Sequence, residues 1–301
     1  MPVRQLRRIA PAIGDRLFDQ IASHTLQNSD LRPYIDAIEQ EHPELIVESD
    51  GNVLAAEGNP VARLSYGFEN ERVFVDRFPA MFEKLLPRVR RVLRADRVRL
   101  RLTYAPARPI VEPVLRRLWF KPSRDWMEFS LARSTKLAAA PAPRGVRFRE
   151  AGADDVDALL RIDRESFPDT PIPADAFAAR INEESVIVAE RGGEIAGFCI
   201  YTAPEPGAGW ISVLAVCAEH RGAGLGAALT VRAAKRLFVE GARAVGLTTD
   251  DDNGSAIRLY VRLGFRQTRA GRDYTRPTDP REIKAMQTAG EGTLIRFGGW
   301  R

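Results

Sequence analysis

The clearest pattern of apolar and polar positions in this chain runs from Trp210 to Phe238. Trp210 to Val216 is a run of apolar and β-branched residues, long enough for a strand and too short for a helix. Arg221-Gly222-Ala223-Gly224-Leu225-Gly226 follows, and then apolar residues recur at Leu225, Leu229, Val231, Ala234 and Leu237. That spacing predicts an amphipathic helix, with Lys235 and Arg236 near its end. Upstream, Ser185 to Glu190 and Ile195 to Thr202 flank Arg191-Gly192-Gly193-Glu194, the pattern of a β-hairpin. Downstream, the pattern predicts a strand over Ala244 to Thr249, a helix over Ser255 to Val261 and a last strand within Gly264 to Tyr274.

The first half repeats this order at its two ends. Leu6 to Ile21 and Phe148 to Ile162 each run a short strand into an amphipathic helix, and Leu118-Trp119-Phe120 aligns with Leu263-Gly264-Phe265. An internal duplication of about 140 residues accounts for both echoes. The Ala/Pro-rich stretch Ser134 to Pro143 reads as the linker between copies. The expected division is therefore a first domain over 1–133, a linker over 134–143, a second domain over 144–276 and a tail over 277–301. Within the tail, Leu294 to Phe297 could add a strand. In the first copy, a strand over Arg72 to Phe78 is expected to run straight into a helix from Pro79, with no glycine loop between them.

Composition narrows the class. The 301 residues suffice for two domains, and the 45% hydrophobic and 28% charged fractions are those of an ordinary globular chain. No run of about 18 apolar residues exists, and Arg4, Arg7 and Arg8 precede no apolar segment, so neither a span nor a leader peptide is expected. Cys199 and Cys217 sit in apolar strand-like runs and read as buried thiols of a cytoplasmic protein; three scattered histidines argue against a metal. The net charge of +5 falls wholly in residues 1–140, with 23 Lys and Arg against 18 Asp and Glu. Lys84, Arg88, Arg90, Arg91, Arg94, Arg97, Arg99 and Arg101 supply much of it. This is either a solvated helix and strand face or a patch for an acidic ligand; no motif for nucleic acid accompanies it.

The candidate chemistry lies in the glycine loop. Gly222, Gly224 and Gly226 lack Cβ atoms and let the backbone turn tightly, while the helix N-terminus behind them presents N–H groups with no partner inside the helix. Such a terminus favours a phosphate or pyrophosphate. The loop lacks the Gly-Lys-Ser/Thr ending of a triphosphate site and the spacing of a dinucleotide fingerprint.

The residues Arg221-x-x-Gly224-x-Gly226 after Leu214-Ala215-Val216 resemble the R/Q-x-x-G-x-G/A signature of the GNAT superfamily of N-acetyltransferases. Asn253, Ala256, Tyr260 and Leu263-Gly264-Phe265 resemble that family's later motif, in order and at the expected distance. The resemblance implies an α/β fold of two tandem domains, each a mixed, mostly antiparallel sheet flanked by helices, with the central strands splayed where acetyl-CoA enters. It implies that only the second domain is catalytic. It also implies that Arg221, Gly222, Ala223, Gly224, Leu225, Gly226 and Ala227 hold the pyrophosphate, that Leu214 and Val216 pair with the pantetheine arm, and that Asn253 contacts that arm. Tyr260 is implied as the acid that protonates the leaving thiolate, although packing on Phe265 is an alternative role for its ring.

Transfer to an alkylamine needs a proton acceptor, since freeing such an amine at pH 7 costs roughly 4 to 5 kcal/mol. Relatives carry a glutamate about where Trp210 or Ser212 stands, and neither of these can serve. Glu165, Asp169, Asp250 and Asp251 are the carboxylates expected near the substrate mouth, each with an ordinary capping or surface role as its alternative; a water chain is a further option. The acceptor is a small-molecule or peptide amine that no motif specifies. Two other readings are a non-catalytic acyl-CoA-binding regulator and an interaction protein working through the basic first domain.

Overall fold

The computed structural model describes residues 26–27, 31–103, 108–168, 174–205 and 207–293. In chain order the first elements are β1 (Leu26–Gln27), α1 (Leu31–Glu41), β2 (Ile46–Ser49), β3 (Asn52–Glu57) and β4 (Val61–Phe68). Then come α2 (Glu71–Val92), β5 (Arg97–Thr103), α3 (Arg108–Arg117), β6 (Lys121–Ala132), β7 (Val146–Glu150), α4 (Val156–Ser166) and α5 (Ala174–Glu183). The chain continues through β8 (Ser185–Arg191), β9 (Glu194–Glu205), β10 (Ala208–Val216), α6 (Leu225–Val239), β11 (Ala244–Asp250), α7 (Gly254–Leu263), β12 (Arg266–Pro277) and α8 (Pro280–Thr293). The expected elements over Leu6 to Ile21 and Leu294 to Phe297, and Asp169, lie outside the described residues.

Two compact units divide these elements. One comprises residues 1–125 and 271–301, the other 126–270. Two strands, β6 and β12, have residues in both units. The end of β6, Trp126 to Ala132, pairs antiparallel with β11 in the second unit. The end of β12, Gly271 to Pro277, pairs antiparallel with β5 in the first. Residues 134–143 are irregular but not a free tether: Leu137, Ala138 and Ala140 pack on the second unit's core, and the Ala138 N–H donates to the Leu263 carbonyl at 3.3 Å.

The first unit sets β2, β3 and β4 as an antiparallel meander, with β5 parallel to β4. Its core gathers Tyr66, Phe68, Phe74, Phe78, Phe82 and Phe120 with the inward face of β5. The strand expected over Arg72 to Phe78 is instead the start of α2. Apolar side chains at 74, 78, 81, 82, 85 and 89 make one helical stripe, and Phe74 stacks on Phe78 with centroids 4.4 Å apart. Asn70 caps this helix, its Oδ1 accepting from the N–H groups of Arg72 and Val73. The tail places α8 in this same unit, with Ile283 buried. There Arg101 on β5 pairs with the buried Asp273 on β12, at 2.9 Å.

In the second unit, β7, β8, β9 and β10 are successive antiparallel neighbours, and β11 lies parallel to β10. Helix α6 covers one face of this sheet, burying Leu225, Leu229, Ala233, Ala234 and Leu237. Helices α4 and α5 cover the other, where Leu159, Ile162 and Phe177 meet Val188, Phe198 and Ala215. Gly246 on β11 is required by Trp210 on β10: a Cβ there would stand 2.4 Å from the indole ring.

Candidate functional site

Parallel pairing of β10 with β11 runs from Ala208–Ala244 to Ile211–Leu247 and stops. At that point β10 is bulged: Ile211 opposes Tyr201 and Val213 opposes Ile200 on β9, leaving Ser212 as an extra residue. A bulge bends its strand and ends regular pairing, so it explains why β10 and β11 part there. Beyond it, Val213 to Val216 remain paired with β9. The Cys217 N–H donates to the Ala196 carbonyl on β9 at 3.0 Å. Backbone groups alternate sides along a strand, so those of Leu214 and Val216 face away from β9, toward the opening left by β11. The Val216 carbonyl accepts from Arg221 Nε at 2.9 Å.

The turn into α6 is made by Gly222 at φ 77° and Gly224 at φ 84°, both in the left-handed region that side chains disfavour. Gly224 occupies the helix cap, where no side chain supplies a hydrogen bond. The first helical bond is from the Ala228 N–H to the Gly224 carbonyl, at 3.0 Å. The amides of Leu225, Gly226 and Ala227 precede it and have no intrahelical acceptor. A Cβ on Gly222 would meet nothing within 4 Å, so the turn faces open space. Arg221 and Ala223 are exposed beside it. These features fit an oxyanion of a bound pyrophosphate. The contrast with α2 is chemical: there Asn70 already occupies the leading N–H groups.

Asn253 caps α7, its Oδ1 accepting from the Ala256 N–H at 3.1 Å and from the Ser255 hydroxyl at 2.9 Å. Helix α7 leans on the glycine turn: Leu259 would lie 3.5 Å from a Cβ on Gly226. Tyr260 follows, 6% exposed, its ring 6.1 Å from Phe129 and 5.9 Å from Phe265 between centroids. Both the packing role and an available hydroxyl are therefore present in one residue, for no hydrogen bond engages the hydroxyl among the described residues. Burial pushes its pKa up from the ordinary tyrosine value, with the nearby Cys199 thiol adding to the shift. In the first unit, Leu115, which stands five residues before Phe120 as Tyr260 stands five before Phe265, is fully buried.

The candidate proton acceptors are dispersed. Glu165 accepts from the Ala218 N–H at 3.2 Å and so caps the turn that leads into the glycine loop. Asp250 ends β11, its carbonyl accepting from the Asn253 N–H at 3.2 Å; Asp251 is exposed. Trp210 lies over Gly246, as above. Ser212 is different. Its hydroxyl donates to Glu184 Oε2 at 3.2 Å, bringing a carboxylate to the bulge from the junction of α5 and β8. Glu184 is 19% exposed and its Oε1 lies 3.5 Å from Arg180 Nε, one helical turn earlier. Sequence reasoning missed Glu184, because 28 residues separate it from Ser212 and no spacing rule links them.

Comparisons with known proteins bear on this arrangement. Residues 154–265 match the model of the acetyltransferase (GNAT) family. A mycothiol acetyltransferase from Parafrankia sp. (strain EAN1pec) is 34% identical over 164 residues, covering 46% of this chain and 51% of that protein. One from Sanguibacter keddieii is 34% identical over 158 residues, covering 47% and 50%. The chain spans about half the length of the curated relatives it matches. Among solved structures, a GCN5-related N-acetyltransferase from Sphaerobacter thermophilus superposes with a TM-score of 0.61 at 17% identity, over 76% of this chain and 77% of that one. A tandem GNAT protein from the clavulanic acid biosynthesis pathway gives 0.56 at 17% identity, over 78% and 82%. At these identities the structures speak for the fold alone. A glycine turn on a helix N-terminus, a bulged strand parting from its neighbour, and the family model over those same residues lead to one conclusion: residues 154–265 are a domain of the GNAT acetyltransferase family.

Proposed function

We propose that this protein is an acetyl-CoA-dependent N-acetyltransferase that acetylates the amine of a small molecule, with the reaction carried by the second unit. The observation that carries the reading is the positive-φ glycine turn, open at Gly222 and followed by helix amides with no intrahelical acceptor. In this reading the amides of Gly222 to Ala227, with Arg221 beside them, bind the pyrophosphate. The outward backbone groups of Leu214 and Val216 accept the pantetheine arm as a further strand, which also offers an N–H to the carbonyl oxygen as it gains charge. For the Val216 carbonyl this requires Arg221 Nε to release it. Asn253 keeps its cap and offers its amide nitrogen to the same arm.

Acetyl-CoA supplies the activated acyl group; the chain's own residues manage position and protons. Tyr260, held protonated by burial, donates to the departing thiolate. Glu184 with Ser212 is the carboxylate that stands at the bulge, on the face of α4 and α5, and it receives the ammonium of the acceptor and takes its proton. Bond making between nitrogen and the acyl carbon expels the thiolate, and the ammonium loses two protons in all. Glu184 takes the first before attack and passes it to solvent. The second leaves the nitrogen as the C–S bond breaks and replaces, through solvent, the proton Tyr260 gave to the sulfur, so one proton is released net. The relatives named mycothiol acetyltransferase favour a small-molecule acceptor over a protein terminus.

Acetyl-CoA-dependent release of free thiol, screened across amino sugars, polyamines, amino acids and peptides, tests the reading. Turnover with a small amine is the expected result. Tight acetyl-CoA binding without turnover of any amine would instead favour a non-catalytic acyl-CoA-binding role.

A further inference from the structure

We propose that the first unit holds a binding site for a small organic phosphate, in the recess between α2, the end of β12 and α8. The recess has a volume of about 420 Å³. Three cations from three separate elements line it: Arg90 on α2, Arg276 on β12 and Lys284 on α8. None of the residues lining it is acidic. Leu86, Pro87 and Ile283 form its apolar wall.

The charge there is uncompensated. Arg276 lies with its guanidinium carbon 5.1 Å from the centre of the Phe82 ring. Its Nε and Nη1 are sealed from solvent and make no hydrogen bond. Burial lowers its pKa, and no neighbouring carboxylate acts against that shift. A half-buried cation without a counter-ion carries part of the desolvation cost, and an anion brought alongside offsets it. The nearest acids on α8 and its cap are already engaged. Glu282 pairs with Arg97 at 3.8 Å, and Asp279 accepts from the Arg281 N–H at 2.8 Å. Arg90 and Lys284 are exposed and form no ion pair among the described residues. Two exposed cations and a half-buried one suit a divalent oxyanion, and the apolar wall suits a carbon skeleton attached to it. The site thus gives part of the basic cluster of residues 84–101 a ligand of its own.

Calorimetric titration of the full chain with phenyl phosphate tests this, with inorganic phosphate and phenol as partial probes. The same titration on the Gly224→Val chain removes the other oxyanion site. Saturable binding of phenyl phosphate in both chains, tighter than either partial probe, is expected. Arg90→Ser and Lys284→Ser should each weaken it on the order of tenfold, while Lys84→Ser, on α2 but outside the recess, should leave it unchanged. Absence of saturable binding overturns the proposal. So does binding lost with Gly224→Val, which would place the probe at the glycine turn. Equal loss with Lys84→Ser would reduce the effect to general surface charge, and unchanged binding in the Arg90 and Lys284 variants would exclude the recess. Phosphate binding as tightly as phenyl phosphate would remove the organic part of the ligand.

Discussion

Tyr260→Phe keeps the ring between Phe129 and Phe265 and removes only the hydroxyl, so it separates packing from proton donation. A donor used in the transition state and not in the ground state affects kcat and leaves cofactor affinity alone. The expected loss in kcat is ~10²- to 10⁴-fold, with acetyl-CoA Kd unchanged. Since burial raises the Tyr260 pKa, the phenol stays protonated as pH rises through the ordinary tyrosine range. The loss should therefore be the same factor across pH 6 to 10. A kcat within about threefold of the parent, with chemistry rate-limiting, would leave Tyr260 a packing residue. Glu184→Gln makes the complementary cut. It should lower kcat/KM for the amine by roughly 10² or more. Ser212→Ala, which removes only the hydrogen bond holding that carboxylate, should cost far less. If Glu184→Gln turns over amines with kcat/KM within about threefold of the parent, Glu184 is merely the partner of Arg180 and Ser212.

At the scale of the element, the turn between β10 and α6 sets the prediction. Gly224→Val places a β-branched side chain at φ 84°, which should lower the stability of the ligand-free protein by about 1 to 2 kcal/mol. The informative quantity is the gain on adding acetyl-CoA. At a concentration 100 times Kd a binding protein gains about 2.7 kcal/mol, and the variant should gain nothing measurable by thermal denaturation. Equal stabilisation of parent and variant would show that these amides do not hold the ligand. The helices that follow β4 and β10 make the physical point. Helix α2 satisfies its leading amides with Asn70, and α6 leaves its own without an intrahelical acceptor.

For the whole molecule, the pairing of β6 and β12 decides where the chain can be cut. A fragment of residues 139–301 lacks Trp126 to Ala132, so seven paired positions along β11 lose their partner. It also carries Gly271 to Pro277, whose partners on β5 are absent. Two exposed strand edges favour aggregation. The fragment 126–270 keeps β6 on β11 and omits the orphaned strand. The expected outcome is a cooperative unfolding transition and acetyl-CoA binding by calorimetry for 126–270, and neither for 139–301. Equal behaviour of the two fragments would mean that the strand pairs add little to either unit.

Local information was sufficient where a short stretch sets its own backbone. The apolar run at Trp210 to Val216, the glycines at 222 and 224 and the period from Leu225 onward determined a strand, a tight turn and a helix with open amides. The same information misled over Arg72 to Phe78, because β-branched and aromatic residues suit a strand until Asn70 caps a helix and Phe74, Phe78 and Phe82 stack along it. Tertiary structure alone decided what depends on residues distant in the chain. The Ser212 bulge needs β9 in register beside it, Glu184 reaches Ser212 across 28 residues, and Arg276 meets Arg90 and Lys284 only once β12 has crossed to β5. Periodicity records which face of an element is buried; it carries no record of which partner, or which copy of a duplication, does the burying.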